Sequence, residues 1–229
     1  MIVLDSGCQM FNPDFIQAIG LTFLLATVVT AVVVALGVPL AWWLARTTKR
    51  WAWIVELIGT MPLVLPPTVL GFYLLLLLSP SNGFGRWWKE LTGMQLTFSF
   101  TALVIGSVVF CLPFAVGPFQ AAFVSIPASH IESSRAVGAG AWLTFWRIEV
   151  PVAARGIGVG ATLAFAHTIG EFGLVMMLGG SIPGETRVAS IALYDAVQRL
   201  DYAQAHGYAA ALVIMALTLL SLRRWLMPR

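Results

Sequence analysis

Long apolar stretches without any charged residue alternate with short polar stretches along this chain. No charge occurs between Asp14 and Arg46, and none occurs between Glu56 and Arg86. A helix needs about 20 mostly apolar residues to cross the ~30 Å hydrocarbon core of a bilayer. Five stretches are long enough, and they predict transmembrane helices over residues 15–45, 54–79, 98–124, 153–178 and 202–222.

The composition supports a membrane protein and excludes most soluble classes. Of the 229 residues, 59% are hydrophobic and 10% are charged, whereas a soluble domain is about half apolar and about a quarter charged. The net charge of +3 comes from basic residues that flank the apolar stretches, so it does not indicate a nucleic-acid partner. We expect an all-α integral membrane protein, with one transmembrane domain over residues 1–229 in a lipid bilayer.

The distribution of basic residues predicts the orientation in the membrane. With five spans, one side carries nine of them: Arg46, Lys49, Arg50, Arg135, Arg147, Arg155, Arg223, Arg224 and Arg229. The other side carries four: Arg86, Lys89, Arg187 and Arg199. Loops rich in lysine and arginine stay in the cytoplasm. The segment 125–151 and the C-terminus are therefore expected in the cytoplasm, and the N-terminus outside.

The second predicted span contains three prolines within six residues, Pro62, Pro66 and Pro67. Proline lacks a backbone donor and clashes with the preceding helical turn, so these residues predict a kink or a break. Irregular backbone inside a bilayer is tolerated only where protein or a water-lined cavity satisfies it. The prolines therefore indicate either a packing kink or a helix that lines a pathway, with Thr68 as a neighbouring hydroxyl group.

The fourth predicted span combines small and polar residues. Small residues recur every four positions from Gly156 to Thr168, which favours close approach of another helix. A carboxylate in mid-membrane costs about 2.5–3.5 kcal/mol on insertion scales, so Glu171 should face protein or water. We expect His167 and Glu171 to form a structural or gate-lining polar pair, with a proton relay as the alternative. Thr162 and Thr168 are further candidates for lining a pathway.

The segment 125–151 is too long for a tight turn and too apolar to be simply solvated. Ser129 and Glu132 have the spacing of a capping box, which predicts that a short helix begins there. Gly138 predicts a left-handed cap at the end of this helix, and Pro151 is placed near the start of the fourth span. Such a helix either docks onto a partner or lies on the lipid headgroups.

This segment resembles the EAA loop of bacterial ABC-importer permeases. Glu132-Ser133-Ser134 is followed after three residues by Gly138, and after nine more by Ile148-Glu149-Val150-Pro151. The family pattern has EAA, three residues, glycine, nine residues and I-x-L-P, so the spacing matches, with serine at both alanine positions. The residues that the resemblance assigns to coupling with an ATPase are Ser129, Glu132, Ser133, Ser134, Gly138, Ile148 and Pro151.

Three other stretches resemble the molybdate/tungstate permeases within this group. The sequence PLVLPP at residues 62–67 is similar to their second-span motif. LAFAHTIGEFG at residues 163–173 is similar to a stretch in which the family normally has arginine at the position of His167. IPGETR at residues 182–187 distinguishes them from the sulfate/thiosulfate permeases, which lack this Pro-Gly turn.

The resemblance implies a transport subunit and not an enzyme. The family works in the inner membrane of bacteria as a homodimer with two cytoplasmic ATPase subunits, which bind ATP and Mg²⁺, and an external molybdate-binding protein. It moves molybdate, and is expected to move tungstate, by alternating access. The chain has no G-x-x-x-x-G-K-[ST] phosphate-binding pattern and is expected to hold no cofactor of its own. Candidates for docking the binding protein are Glu185, Arg187, Asp195 and Arg199.

Alternatives to this assignment stay open. The first is a sulfate or thiosulfate ABC permease of similar build. An ion-coupled secondary transporter would need a repeat or an ionisable relay, and an intramembrane enzyme would need a nucleophile or a metal beside His167 and Glu171. No metal site is expected, because the histidines are predicted at different depths and the cysteines form no pair motif. These residues are His130, His167, His206, Cys8 and Cys111.

Overall fold

The computed structural model describes residues 13–226, with side chains described up to residue 221. Within this range the regular elements are helices, and no strand is present. They are α1 Pro13–Arg46, α2 Ala52–Val64, α3 Pro67–Leu78, α4 Gly83–Thr92, α5 Phe100–Val124, α6 Ala128–Ala136, α7 Ala141–Gly170, α8 Gly173–Gly179, α9 Ala189–Gln198 and α10 Tyr202–Leu226. The predictions on Cys8 and on the side chains of Arg223, Arg224 and Arg229 lie outside the described residues.

The helices are long and apolar enough for a protein that crosses the membrane several times. In the described part, α1, α5, α7 and the Tyr202–Ser221 part of α10 each qualify as a span. α2 and α3 qualify only as a pair, because they are bent by 114° at the break between them. The described residues thus contain four candidate spans, or five if the bent pair counts as one. The predicted all-helical membrane fold is confirmed.

The break between α2 and α3 follows from the consecutive prolines. A residue that precedes proline is pushed out of the helical region of backbone space. Leu65 precedes Pro66 and has ψ 137°, while Pro66 precedes Pro67 and has ψ 134°. Pro67 is then the first residue of α3, where a missing N–H does no harm. The predicted break is confirmed, and it turns the chain sharply instead of kinking a single helix.

The core lies where α1, α5 and α7 pack against one another. Small residues on α7 allow this, because a Cβ atom at Gly160 would lie only 2.8 Å from the carbonyl oxygen of Ala115 on α5. Phe119 of α5 fills the space beside Gly160 and is completely buried. The predicted close approach along the small residues of the fourth span is therefore confirmed.

The fourth predicted span differs from the expected helix at both ends. The helical run begins already at Ala141, but its regular α-helical part begins at Val150, so Pro151 lies in the first turn of that part, as predicted. A π-helical turn at Phe145–Glu149 precedes this proline, and the Val150 N–H bonds the carbonyl of Phe145, five residues back. The wider turn accommodates a proline that would clash in a regular α-helix. At the other end α7 stops at Gly170, and a separate helix, α8, follows.

Candidate functional site

The segment 125–151 forms a helix, a left-handed turn and the start of α7. α6 ends in a Schellman motif, in which the Gly138 N–H bonds the Arg135 carbonyl at 2.9 Å and the Ala139 N–H bonds the Ser134 carbonyl at 3.1 Å. Gly138 has φ +80°, which is the left-handed conformation that the sequence predicts. This turn fixes the direction of α6 relative to α7.

The predicted capping box is wrong. α6 begins at Ala128, Pro127 is its N-cap residue, and no side chain caps it. Pro127 has φ −58° and ψ 138°, which start the helix before Ser129 is reached. Ser129 therefore lies inside the first turn, and both its side chain and that of Glu132 are exposed to solvent.

One face of the segment is anchored to the membrane domain. The hydroxyl groups of Ser134 and Thr144 lie 2.8 Å apart in buried surroundings and tie α6 to α7. Phe145 is buried, with its ring centroid 5.0 Å from that of Trp42 on α1 and 6.1 Å from that of Phe123 on α5. The segment is thus held against the ends of α1 and α5.

A buried carboxylate in the π-helical turn strengthens this attachment. Glu149 Oε2 accepts hydrogen bonds from Arg46 Nη2 at 2.7 Å, from Arg46 Nε at 3.2 Å and from Trp42 Nε1 at 3.0 Å. Only 4% of the Glu149 side chain is exposed. The sequence did not predict Trp42, Arg46 or Glu149 as site residues. The available signal was the spacing of Trp42 and Arg46, one helical turn apart at the end of an apolar stretch.

The opposite face of the segment is open to solvent. Val137 and Trp142 are 83% and 67% exposed, so this face carries apolar side chains. Ser133 and Pro151 are also exposed, and Ile148 is half-buried. An open cleft of about 440 Å³ lies between α6 and the anchor, lined by Ile131, Glu132 and Arg135 on one side and by Arg46 and Glu149 on the other. The segment thus presents apolar and charged groups together, as a protein-docking surface does.

The two helix breaks within the membrane lie side by side. A Cβ atom at Gly173, the first residue of α8, would lie 3.0 Å from Thr68 Cγ2 and 3.4 Å from Pro67 Cβ. Gly71 of α3 faces Leu174 and Met177 of α8 at similarly short range. The predicted pathway residues Pro67, Thr68 and Glu171 are therefore brought to one place, where two segments of the chain lose their helical hydrogen bonding.

Glu171 makes hydrogen bonds with backbone and side-chain groups at the break between α7 and α8. Its Oε1 accepts a hydrogen bond from the Leu174 N–H at 2.8 Å, so it caps the start of α8. Its own carbonyl accepts a hydrogen bond from the Ser190 hydroxyl at 2.7 Å. The side chain is buried. A carboxylate is thus retained in the membrane because it replaces the helical bonds lost at the break.

The expected polar pair of His167 and Glu171 does not form. The His167 ring is stacked on Phe110 at 4.9 Å and contacts Phe114 at 3.9 Å between ring centroids. Its Nε2 is buried, without a hydrogen-bond partner among the described residues. The expectation failed because α7 ends at Gly170, so the spacing of four residues does not place the two side chains on one helical face.

The other candidate pathway residues have separate surroundings. The Thr168 hydroxyl lies 3.3 Å from Cys111 Sγ and donates to the Ala164 carbonyl. The Thr162 hydroxyl donates to the Gly158 carbonyl on the same helix. Pro62 is buried and Pro66 is exposed. The structure thus gathers only some of the predicted pathway residues at the two breaks.

The charged candidates for docking a binding protein are partly engaged within the chain. Arg187 Nη2 lies 3.2 Å from Asp14 Oδ2 at the start of α1. Asp195 accepts a hydrogen bond from the Ser181 hydroxyl at 2.5 Å, and Arg199 Nε donates to the Asp195 carbonyl at 3.2 Å. Glu185 is exposed at the tip of the turn. These contacts fix the turn at 182–187 against α1 and α9.

The capping role of Glu171 predicts the stability of two variants. Glu171→Ala removes the acceptor for the Leu174 N–H and should lower the free energy of unfolding by about 1 kcal/mol. Glu171→Gln keeps an oxygen that can accept this bond, so most of the stability should remain. Reversible unfolding in mixed detergent micelles measures both. Equal losses in the two variants would show that the charge, and not the cap, is what matters.

The sequence is similar to known membrane transport proteins over most of its length. Residues 37–229 match the family model described as binding-protein-dependent transport system inner membrane component. The chain is 43% identical over 205 residues to the molybdenum transport system permease protein ModB of Azotobacter vinelandii, covering 90% of this chain and 91% of that protein. It is 31% identical over 187 residues to ModB of Escherichia coli strain K12, covering 82% and 81%. The sulfate transport system permease protein CysT of the same strain is 26% identical over 209 residues, covering 91% and 75%.

Solved structures share the fold. A bacterial ABC transporter involved in the import of the acidic polysaccharide alginate matches with a TM-score of 0.76 at 21% identity, covering 98% of this chain and 82% of that chain. An inward-facing MetNI methionine ABC transporter matches with a TM-score of 0.71 at 16% identity, covering 92% and 93%. At these identities the likeness establishes the arrangement of helices and carries no assignment of cargo.

Proposed function

The chain belongs to the family of binding-protein-dependent transport system inner membrane components, and we propose that it is the permease subunit of an ATP-driven molybdate importer. The observation that carries the proposal is its 43% identity, over nine-tenths of its length, to a molybdenum transport permease. The IPGETR turn at residues 182–187 adds support, because it favours molybdate and tungstate over sulfate. The subunit translocates its cargo and catalyses no reaction of its own.

The energy for transport comes from partner subunits in this proposal. Two cytoplasmic ATPase subunits bind ATP and Mg²⁺ and contact the exposed face of the segment 125–151. The exposure of Val137, Trp142 and Glu132 supports this role, because a docking surface must be open in the isolated chain. Because the segment 125–151 has both a buried anchor and an exposed face, movement of an ATPase subunit against it can reach the membrane domain.

The complex as a whole is proposed to contain two copies of this chain in the inner membrane of a bacterium. An external molybdate-binding protein delivers the cargo to the side opposite the segment 125–151. The outer turn at 182–187 is the proposed contact, with Glu185 exposed at its tip. Selection of the cargo then lies mainly in the binding protein.

The chemistry of the broken helices suits passage of a dianion. Residues 51–85 and 156–186 contain both breaks and no lysine or arginine. A fixed cation in a water-poor pathway would hold a divalent oxyanion strongly, since charge pairs are poorly screened there. Hydroxyl groups such as that of Thr68, which is exposed, bind an anion weakly enough to release it. Discontinuous helices near the midplane are a common setting for such sites.

Cellular molybdenum content tests the proposed cargo. Cells that lack this chain should accumulate less molybdenum at nanomolar molybdate and ordinary sulfate, and the intact chain should restore it. Elemental mass spectrometry measures the content, and excess tungstate should compete with molybdate uptake. Unchanged molybdenum in the deletion strain would overturn the proposal.

Sulfate is the second candidate cargo. The 26% identity to a sulfate permease over 91% of this chain favours it specifically. The same strains should therefore be tested for uptake of labelled sulfate. A defect in sulfate uptake, with normal molybdenum, would assign the chain to sulfate transport.

A further inference from the structure

α1 is attached at both of its ends to segments that face opposite sides of the membrane domain. At its C-terminal end, Trp42 and Arg46 bond the buried carboxylate of Glu149. At its N-terminal end, Asp14 pairs with Arg187 of the outer turn. The helix has 34 residues and is about 51 Å long, so these attachments lie close to its two ends. One continuous element thus connects the segment 125–151 with the turn at 182–187.

The outer attachment includes a buried hydrogen bond. Thr22 Oγ1 accepts the N–H of Ala189, the first residue of α9, at 2.8 Å. Gly184 has φ +81°, and a Cβ atom there would lie 2.8 Å from Gln17 Nε2 on α1. The turn and the start of α9 therefore rest directly on α1.

The middle of α1 is held by close packing. Val29, Val33 and Ala41 are completely buried, and α1 packs along α5 and α7. The helix continues through Pro39, and both Val38 before it and Ala41 two residues after it are buried. Close-packed interiors have low compressibility and transmit displacement. A movement applied at one end of α1 is thereby passed to its other end.

We propose that α1 is a coupling rod that transmits movement of the segment 125–151 to the outer turn at 182–187. The positioning residue at the inner end of α1 is Glu149, which bonds Trp42 and Arg46. The positioning residue at the outer end is Thr22. The inference rests on the proposed function, in which ATPase subunits move the segment 125–151. Long-range coupling of this kind is carried by packed rigid elements that have two discrete arrangements.

A label on the outer turn tests the rod without any cargo. Glu185→Cys in a Cys8→Ser background places a fluorophore on the exposed tip of the turn, and ATP is added to the complex with its ATPase subunits. The measured quantity is the ATP concentration that gives half of the maximal fluorescence change. Glu149→Gln and Thr22→Val should each raise it by about 2- to 30-fold. Co-purification of the ATPase subunits shows that each complex is assembled.

Two matched variants control for general effects of substitution. Thr27 is an exposed threonine of α1 whose hydroxyl bonds the Phe23 carbonyl, as the Thr22 hydroxyl bonds the Ala18 carbonyl. Thr27→Val should therefore respond to ATP as the unmodified chain does. Arg50→Gln removes an exposed positive charge close to Arg46 and should also respond normally.

A double variant distinguishes one path from two independent effects. Glu149→Gln combined with Thr22→Val should be no worse than the more severe single variant, because both interrupt the same rod. The proposal is overturned if the fold-changes of the two single variants multiply in the double variant. It is also overturned if either single variant responds to ATP as the unmodified chain does. If Glu149→Gln does not assemble, Trp42→Phe replaces it, since phenylalanine keeps a ring beside Phe145 and loses the N–H donor. Loss of assembly in both would show a purely structural role and also overturn it.

The outcome separates the rod from the cargo. A complex that imports molybdate but shows no ATP response at position 185 overturns the rod and leaves the proposed function intact. Import is measured with the unlabelled chain, which keeps Glu185 because this residue is itself a proposed contact of the binding protein. A complex of that chain that imports no molybdate overturns the proposed cargo. The fluorescence measurement uses no cargo, so it still tests the role of α1 in that case.

Discussion

Gly138→Val is expected to lower molybdate uptake by about tenfold or more while the ATPase subunits still co-purify. Gly138 has φ +80°, where an L-residue costs about 1–2 kcal/mol and a β-branched residue costs more. The chain can escape this cost only by losing the bonds that join Gly138 to Arg135 and Ala139 to Ser134. A penalty of about 1.4 kcal/mol corresponds to a tenfold fall in the ratio of correctly turned to incorrectly turned segments. Molybdenum accumulation in complemented deletion cells measures the effect.

Gly140→Val is the matched control for this experiment. Gly140 lies two residues further along the same segment, but its φ is −70° and its ψ is 161°, which valine adopts readily. No atom lies within 4 Å of the position that its Cβ would occupy. Its carbonyl still accepts the Thr144 N–H, because that bond uses only the backbone. If both variants lost uptake equally, the left-handed turn would not be the cause.

Features fixed by the local backbone could be predicted from the sequence. Pro66 and Pro67 break the second apolar stretch because each restricts its own φ and the residue before it, whereas Pro62 lies inside α2. The same holds for Gly138, since few residues other than glycine end a helix in the left-handed conformation. The length and apolarity of the long helices likewise predict membrane spans without any knowledge of their neighbours.

Features that depend on distant partners could not be predicted. Glu149 and Arg46 are 103 residues apart, and nothing in their local sequence pairs them. The pairing of His167 with Glu171 failed for a related reason, because it assumed that α7 continues to residue 171. Glu171 instead caps α8 and thereby marks where α7 has already ended. The capping box at Ser129 failed because Pro127 competes for the same helix start.

The largest loss of stability is expected from Gly160→Ala, where α7 lies against α5. The added Cβ would lie 2.8 Å from the Ala115 carbonyl oxygen and 2.8 Å from Phe119 Cδ1. Helix backbone cannot move aside cheaply, and Phe119 is completely buried, so α5 and α7 must separate. Overpacking costs about 1–3 kcal/mol, and we expect a net loss of about 2 kcal/mol in reversible unfolding in mixed detergent micelles.

Gly20→Ala on α1 separates this packing effect from the effect of alanine on a helix. Gly20 is exposed, no proline follows it, and no atom lies within 4 Å of the position of its Cβ. Alanine should therefore stabilise α1 there by up to about 1 kcal/mol, because it favours the helix over glycine. The two variants make the same chemical change in helices that pack together, and they should shift the free energy of unfolding in opposite directions. Equal stability of Gly160→Ala and Gly20→Ala would contradict the close packing of α5 on α7, and with it the rigid core on which the movement of α1 depends.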